Sequence, residues 1–186
     1  KLKGLTSLHM QGTFEVTAAS MVSLSGLTRL EDLMMSVSSS FPSVSVLPLS
    51  SLSRLKTIFL SRIGFRTTDG SFIGKLPALE TAALDNCSVT DELVASWDKC
   101  TQLSSLSLQG NLLTGTGLAQ LASVGKLKTL SLVNCTLSEE GGMTISILPS
   151  LEWLSISKVS DATLHNICQS RTITKLTFTS QMENRV

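Results

Sequence analysis

Residues Leu103 to Val124 read LSSLSLQGNLLTGTGLAQLASV, and this stretch decides the fold. Its first half alternates apolar and polar residues around Leu106 and Leu108, which is the period of a strand with one buried face. Its second half, from Gly117 to Ala122, has the spacing of a short amphipathic helix. The stretch therefore predicts one strand followed by one return segment.

The strand pattern recurs about every 24 residues along the whole chain. Its first inward residues are Leu5, Leu30, Leu55, Leu79, Leu103, Leu127, Leu151 and Ile173. The second inward residues are Leu8, Leu33, Ile58, Ala82, Leu106, Leu130, Leu154 and Leu176. The third are Met10, Met35, Leu60, Leu84, Leu108, Leu132, Ile156 and Phe178. Because one unit cannot bury this apolar stripe alone, neighbouring units are expected to stack.

The spacing L-x-x-L-x-L-x-x-N-x-L, complete in Leu103 to Leu113, resembles the leucine-rich repeat family. Cysteine at the ninth motif position, in Cys87 and Cys135, is similar to the cysteine-containing variant of the repeat. The length of 24 residues and the segment Gly117 to Ala122 resemble the short GALA-type repeats of bacterial effectors. The resemblance implies an α/β fold: a right-handed solenoid with a concave parallel sheet of about eight strands. Short helical, 3-10 or extended segments would form the convex side, with residues 1–186 as a single domain.

The return segments differ in their sequence signals. Thr90, Thr114 and Ser138 stand where N-caps would begin short helices. Residues Ser38 to Ser53 contain two prolines, which favour extended backbone. We expect an extended crossing there that buries Val46, Leu49 and Leu52, with a flexible linker as the alternative.

Three residues are predicted to support the turns that follow the strands. The side chain of Asn111 can satisfy buried backbone groups of a turn, whereas Cys87 and Cys135 offer a weaker and more apolar solution. Two repeats separate these two cysteines, which is too far for a disulfide. All four cysteines, including Cys100 and Cys168, are therefore expected to be free thiols, most of them buried.

Composition excludes several function classes. The net charge is +1 and the charges are scattered, which argues against nucleic acid as a partner. No apolar run is long enough to cross a bilayer, so membrane insertion is not expected. Free thiols favour a reducing, intracellular compartment. Asn86 and Asn134 begin N-glycosylation acceptor patterns, which leave an extracellular location open.

The sequence contains few residues placed to form a metal site or a catalytic site. His165 and Cys168 have the spacing of half a zinc site, but no second pair is placed to complete it, so no metal is expected. A serine paired with His9 or His165 has no fixed geometry in the sequence. We therefore predict no enzyme activity and no cofactor.

Residues between the inward leucines should face outward from the sheet. Two groups on this surface combine an exposed apolar or aromatic residue with a cation, the residue types that concentrate binding energy at interfaces. They are Met34, Phe59 and Arg62, and Trp153, Lys158 and Lys175. Charges at the strand starts, such as Lys56 beside Glu31, are expected to pair with each other.

The favoured function is a non-catalytic scaffold that binds a protein partner through the concave sheet. One alternative is the ligand-binding part of an extracellular or surface receptor or antigen. Another is the recruiting or regulatory domain of a larger enzyme system, such as a ubiquitin-ligase adaptor or a GTPase regulator. Because no polar caps cover the terminal repeats, we expect the sequence to be part of a longer chain.

Overall fold

A computed structural model describes residues 2–38, 44–66, 69 and 71–179. Eight strands pair in parallel and in sequence order to form one sheet. The strands are β1 (Ser7–Gly12), β2 (Asp32–Val37), β3 (Thr57–Ser61), β4 (Thr81–Asp85), β5 (Ser105–Ser107), β6 (Thr129–Leu132), β7 (Trp153–Ile156) and β8 (Lys175–Phe178). This arrangement confirms the predicted α/β solenoid, and the register places equivalent repeat positions side by side.

The return segments are short helices on the other side of the core. The α-helices are α1 (Ala18–Ser25), α2 (Asp91–Val94), α3 (Glu139–Ser146) and α4 (Asp161–Ile167). Among the described residues, 3-10 helices are formed by Leu47–Ser51, Ile73–Lys75 and Thr116–Ser123. The convex side therefore mixes helix types, as expected for coils that differ in sequence but keep one period.

The N-cap predictions hold in part. Ser138 caps α3 by accepting a hydrogen bond from Gly141 N at 3.0 Å. Thr90 occupies the N-cap of α2, but its side chain makes no capping bond to the helix backbone. The prediction for Thr114 was wrong, because the following 3-10 helix begins after Gly115, whose φ of 95° favours glycine.

The segment Ser38 to Ser53 was also predicted imperfectly. Residues 39–43 lie outside the described residues, and Leu47–Ser51 forms a 3-10 helix rather than an extended crossing. A proline at the start of a helix needs no N–H partner, so Pro48 suits this position. The burial of Val46, Leu49 and Leu52 is confirmed.

The predicted inward residues form one continuous core. From the second to the seventh repeat, the first, second and third inward side chains are all almost fully buried. The terminal repeats differ: Leu8, Met10 and Leu176 are only partly buried, and Phe178, predicted to point inward, is 53% exposed. Since a coil buries its stripe against both neighbours, the outer faces of the first and last strands stay open in the described part of the chain.

Asp91 fastens two adjacent coils on the convex side. Its carboxylate accepts hydrogen bonds from Thr114 N and Oγ1, each at 2.8 Å, and from Gly115 N and Gly117 N at 3.0 and 2.9 Å. Burial raises the pKa of the Asp91 carboxyl, but the hydrogen bonds from Thr114, Gly117 and Gly115 outweigh it and hold the pKa below its ordinary value. Asp91 is therefore a structural carboxylate that links the fourth and fifth repeats.

Two glycines let neighbouring return segments touch backbone to backbone. A side-chain carbon on Gly117 would overlap with the carbonyl of Asp91, and one on Gly141 would overlap with the carbonyl of Thr114. The two glycines are one repeat apart, so the same close approach occurs twice. Only glycine fits where the backbones come this close.

Candidate functional site on the sheet face

The solvent-facing side of the sheet, here called the concave face, carries two columns of side chains. The strand register aligns the first column as Ser7, Asp32, Thr57, Thr81, Ser105, Thr129, Trp153 and Lys175. The second column is His9, Met34, Phe59, Ala83, Ser107, Ser131, Ser155 and Thr177. The predicted outward positions are therefore confirmed as neighbours on one face.

The first predicted group is brought together only in part. Met34 and Phe59 are register partners on β2 and β3, and both are half-buried rather than exposed as predicted. Arg62 lies one residue beyond the end of β3, and its Nη1 donates to the carbonyl oxygen of Ser38 at 3.1 Å. The apolar pair therefore lies on the sheet, while the guanidinium belongs to the turn at its edge.

The backbone of Arg62 adopts a left-handed conformation with a φ of 61°. One and three repeats later, Asn86 and Asn134 have φ values of 55° and 60°, and Gly110 between them has a φ of 65°. Asparagine and glycine favour this region, whereas a long side chain such as arginine adopts it at an energetic cost. This requirement explains why both N-glycosylation patterns occupy the same repeat position, since each begins at an asparagine in this turn.

Trp153 and Lys175 form the second predicted group on the concave face. The two residues are register partners on β7 and β8, and Lys175 Nζ lies 3.9 Å from the centre of the indole ring, a cation–π contact. Trp153 Nε1 donates to Thr177 Oγ1 at 3.1 Å. The indole is thus held on its ring face and at its nitrogen, yet 40% of the residue remains exposed.

Lys158 does not join this group. It follows the end of β7 by two residues, whereas Trp153 begins that strand. The strand from Trp153 to Ile156 spans about 10 Å at roughly 3.3 Å per residue, and Lys158 lies beyond it. The prediction of one cluster of Trp153, Lys158 and Lys175 was therefore wrong for Lys158, because Lys158 follows the opposite end of the strand.

A polar cluster at the opposite end of the sheet was missed by the sequence analysis. His9 Nε2 lies 2.6 Å from Asp32 Oδ2, and Ser7 Oγ donates to the same oxygen at 3.2 Å. A hydrolytic triad needs the carboxylate on one ring nitrogen of histidine and the serine on the other. Here Ser7 and Asp32 both approach Nε2, in the open, so the cluster is a surface hydrogen-bonded group rather than a nucleophile with its base. The strand register, His9 opposite Met34 and Ser7 opposite Asp32, was the signal that could have found it.

Between the two ends, the concave face is lined by small hydroxyl side chains. Thr81, Ser105, Ser107, Thr129 and Ser131 are half-buried on three adjacent strands, with Ser155 beyond them. Ser107 donates to Asp85 Oδ1 at 2.7 Å. This hydroxyl strip separates the Met34–Phe59 pair from the Trp153–Lys175 pair.

Asn111 hydrogen-bonds to the backbone of the preceding repeat. Its Oδ1 accepts from Cys87 N at 2.9 Å and Val89 N at 3.0 Å, and its Nδ2 donates to Leu84 O at 2.6 Å. All three partners belong to the preceding repeat, so the asparagine joins two coils. The residue is 4% exposed, which makes each of these bonds costly to lose.

The two cysteines at the same repeat position carry out a weaker version of this role. Cys87 Sγ donates to Leu60 O at 3.3 Å and Cys135 Sγ to Leu108 O at 3.1 Å, as Asn111 donates to the equivalent carbonyl. Burial raises the pKa of Cys87 to about 12, although backbone N–H groups around the sulfur lower it in part. Burial likewise raises the pKa of Cys135. Both thiols are therefore structural and unreactive at neutral pH.

The remaining cysteines differ from each other. Cys100 is buried, and burial, with the nearby charge of Asp98, raises its pKa to about 12. Cys168 is exposed, so three of the four free thiols are buried, in agreement with the prediction that most of them would be. Within the described ranges, no three His, Cys, Asp or Glu side chains are grouped as a metal site would require.

Charges at the strand starts pair as predicted. Lys56 Nζ lies 2.8 Å from Glu31, and Lys128 Nζ lies 2.9 Å from Glu152. The hydrogen bond from Lys56 lowers the pKa of Glu31, and the reciprocal bond raises that of Lys56. Both pairs are exposed, so each contributes modestly to stability. None of the described helices has the length and apolar character needed to cross a bilayer.

Comparisons with known proteins agree with this geometry. A solved leucine-rich repeat protein of Leptospira interrogans aligns with 95% of this chain at a TM-score of 0.60 and 19% sequence identity. The chain has the leucine-rich repeat fold. An internalin of Listeria monocytogenes aligns with 86% of the chain at a TM-score of 0.40 and 18% identity, a similarity too low to add support. The chain spans 46% of the Leptospira protein and 65% of the internalin. The sequence matches no protein-family model and no curated protein.

Proposed function

We propose that this leucine-rich repeat domain is a non-catalytic scaffold that binds a protein partner through its concave face. The observation that supports the proposal most is the ordered but exposed indole of Trp153, held by Lys175 and Thr177. Rigid tryptophans that remain open to solvent are typical of residues that dominate binding energy. An indole already fixed in the free protein loses little entropy when a partner covers it.

The dimensions of the concave face suit such a role. Eight strands at about 4.8 Å span roughly 34 Å. A standard interface buries about 800 Å² on each partner. The sheet face, with an apolar pair at one end and an aromatic residue at the other, is large enough for one interface of this size.

The proposal is tested by blocking the concave face and comparing the effect with the same change on the convex side. Ser131→Arg places a long cation in the hydroxyl strip, and Ala119→Arg places it on the exposed surface of a convex 3-10 helix. A partner is captured from the native organism on the wild-type domain, purified, and titrated against each variant. Thermal unfolding of both variants confirms that they are folded.

We expect Ser131→Arg to weaken partner binding at least tenfold, about 1.4 kcal/mol, and Ala119→Arg to leave it unchanged. Trp153→Ala should also weaken binding by at least tenfold, since it removes the proposed anchor. Equal affinities of the wild type and Ser131→Arg would show that the partner does not use the concave face.

We also propose that the domain works in a reducing, intracellular compartment. The three buried thiols of Cys87, Cys100 and Cys135 have no disulfide partner, as in most proteins of reducing compartments. Asn86 and Asn134 are exposed, so glycans would be found there after secretion through a glycosylating pathway. Mass spectrometry of the natively expressed protein decides the matter, because glycan occupancy at either residue would contradict this location.

A further inference from the structure

The charges on the concave side are unevenly distributed along the sheet. In the two positions that follow the first inward residue, the second to fourth repeats carry Glu31, Asp32, Lys56 and Glu80. The sixth to eighth repeats carry Lys128, Glu152 and Lys175 at the same positions. The position before the first inward residue adds Arg29 and Arg54 at the first end and Lys126 at the other. Three acids and three cations therefore stand at one end, and three lysines and one acid at the other. The rim formed by the strand starts is thus balanced in charge at the second to fourth repeats and net positive at the sixth to eighth.

Lys175 is a cation of this rim that lacks a carboxylate partner among the described residues. Lys56 pairs with Glu31 and Lys128 pairs with Glu152, whereas the ammonium of Lys175 rests on the indole of Trp153. A cation–π contact neutralises no charge, so the field of Lys175 still acts on a partner. An incoming carboxylate could bind this ammonium without breaking an existing ion pair.

The surface beside this pair extends the same chemistry. A shallow depression of about 540 Å³ lies at the strand starts of the fifth to eighth repeats. It is lined by Lys126, Lys128, Glu152 and Thr172, among others. The Lys126 ammonium donates to the amide oxygen of Gln102 at 2.6 Å. Because that amide is neutral, the contact leaves the positive charge of Lys126 uncompensated.

We infer that the partner segment is acidic at one end and docks that end over Trp153 and Lys175. This inference rests on the proposed function and adds its partner chemistry and orientation. Carboxylates of the segment bind Lys175 while its apolar groups cover the indole. The remainder of the segment crosses the hydroxyl strip, where Ser and Thr side chains can hydrogen-bond an extended backbone, and ends near Met34 and Phe59.

The charge balance at the other end fixes the direction of the segment. The acids at the β2–β4 end are compensated by nearby cations, as in the Lys56–Glu31 pair, so a reversed segment would lose the attraction of Lys175 and gain none in exchange. The two ends are about five strand spacings apart, roughly 24 Å, which an extended chain covers with about seven residues. A single short segment can therefore contact both ends.

The experiment uses Trp153 as its own reporter. The chain has two tryptophans, and Trp97 is 1% exposed while Trp153 is open to solvent, so a ligand on the concave face changes the emission of Trp153. The probes are three capped octapeptides built from four Asp-Ser, four Asn-Ser or four Lys-Ser units. Each is titrated against the wild type, Lys175→Gln and Lys175→Glu, with Lys99→Gln as the control for loss of one exposed lysine outside the concave face.

We expect the Asp-Ser peptide to bind more tightly than the Asn-Ser peptide, and the Lys-Ser peptide to bind least. Lys175→Gln should weaken the Asp-Ser peptide roughly fivefold, the size of one exposed ion pair, and Lys175→Glu should weaken it further. Lys99→Gln should match the wild type, and added salt should reduce the preference for the acidic peptide. An Asp-Ser affinity equal to that of Asn-Ser, or unaffected by Lys175→Gln, would overturn the inference.

Orientation is read with a longer peptide, Asp-Ser in one half and Asn-Ser in the other, that carries a nitroxide quencher at either end. Quenching of Trp153 should be stronger with the nitroxide on the acidic end, and equal quenching from both ends would refute the fixed direction.

The captured partner separates the two proposals. If Ser131→Arg blocks it and Lys175→Glu does not, the acidic docking is wrong while concave binding stands. If neither variant affects the partner, both proposals are wrong.

Discussion

Asn111 offers the sharpest test of how the coils hold together. Replacing it with alanine removes the acceptor of Cys87 N and Val89 N and the donor to Leu84 O, all of them in the preceding repeat. A buried polar group left without a partner costs about 1–3 kcal/mol. With three such groups and some relaxation, we expect Asn111→Ala to lower the free energy of unfolding by about 3–5 kcal/mol.

The loss of stability should appear at the junction between two repeats rather than uniformly along the chain. Repeat proteins are stabilised by nearest-neighbour interfaces, so weakening the junction between the fourth and fifth repeats should let the two halves unfold separately. Trp97 lies in the fourth repeat and Trp153 in the seventh, so each half contains one tryptophan. In a Trp153→Phe background, emission of Trp97 reports the first half in urea, and far-UV circular dichroism reports the whole chain.

Asn111→Cys is the graded companion, because Cys87 and Cys135 show that a thiol at this position still donates to the equivalent carbonyl. We expect it to cost about half as much as Asn111→Ala, since a thiol is a poor acceptor for the two N–H groups. The control is Asn134→Gly, at an exposed asparagine whose φ of 60° glycine adopts freely. The reasoning is refuted if Asn111→Ala unfolds within about 0.5 kcal/mol of the wild type, the range of ordinary surface substitutions.

Three further changes probe the convex side and the thiols. Asp91→Ala should destabilise the domain at neutral pH; because the folded pKa of Asp91 is lowered, the difference from wild type should be complete above about pH 4 and shrink as pH falls through the lowered pKa, as followed by thermal unfolding. Gly141→Ala should cost about 2–3 kcal/mol of stability in urea titrations through overlap with the Thr114 carbonyl, whereas Gly125→Ala, which meets open space, should cost little. A thiol reagent should modify Cys168 at once and the three buried cysteines only as the protein unfolds, and Cys168→Ser should abolish the fast reaction.

The sequence predicted the strands and the core well because both depend on a repeated one-dimensional pattern. Leu106 and Leu108 must face inward whatever their neighbours are, since one buried face imposes a period of two. The role of Asn111 was likewise visible, because an asparagine at that position has few other uses in a turn.

The features that the sequence missed depend on contacts between coils. No contact between coils was predicted for Asp91, yet it binds the turn of the next repeat. Lys158 was grouped with Trp153 as part of one outward surface, while the strand places them at opposite ends. The left-handed turn was detectable in principle, since Asn86, Gly110 and Asn134 recur at steps of 24 residues.

The backbone contacts of Gly117 and Gly141 also set how strongly the molecule bends. A solenoid arcs because its convex segments are spaced more widely than its strands. Where two return segments meet without side chains between them, that difference shrinks. Gly142 approaches the Thr163 carbonyl in the same way, so the section that should bend least runs from the fourth to the seventh repeat. The hydroxyl strip lies on the sheet face of this section, and a partner bound there should meet a nearly flat surface.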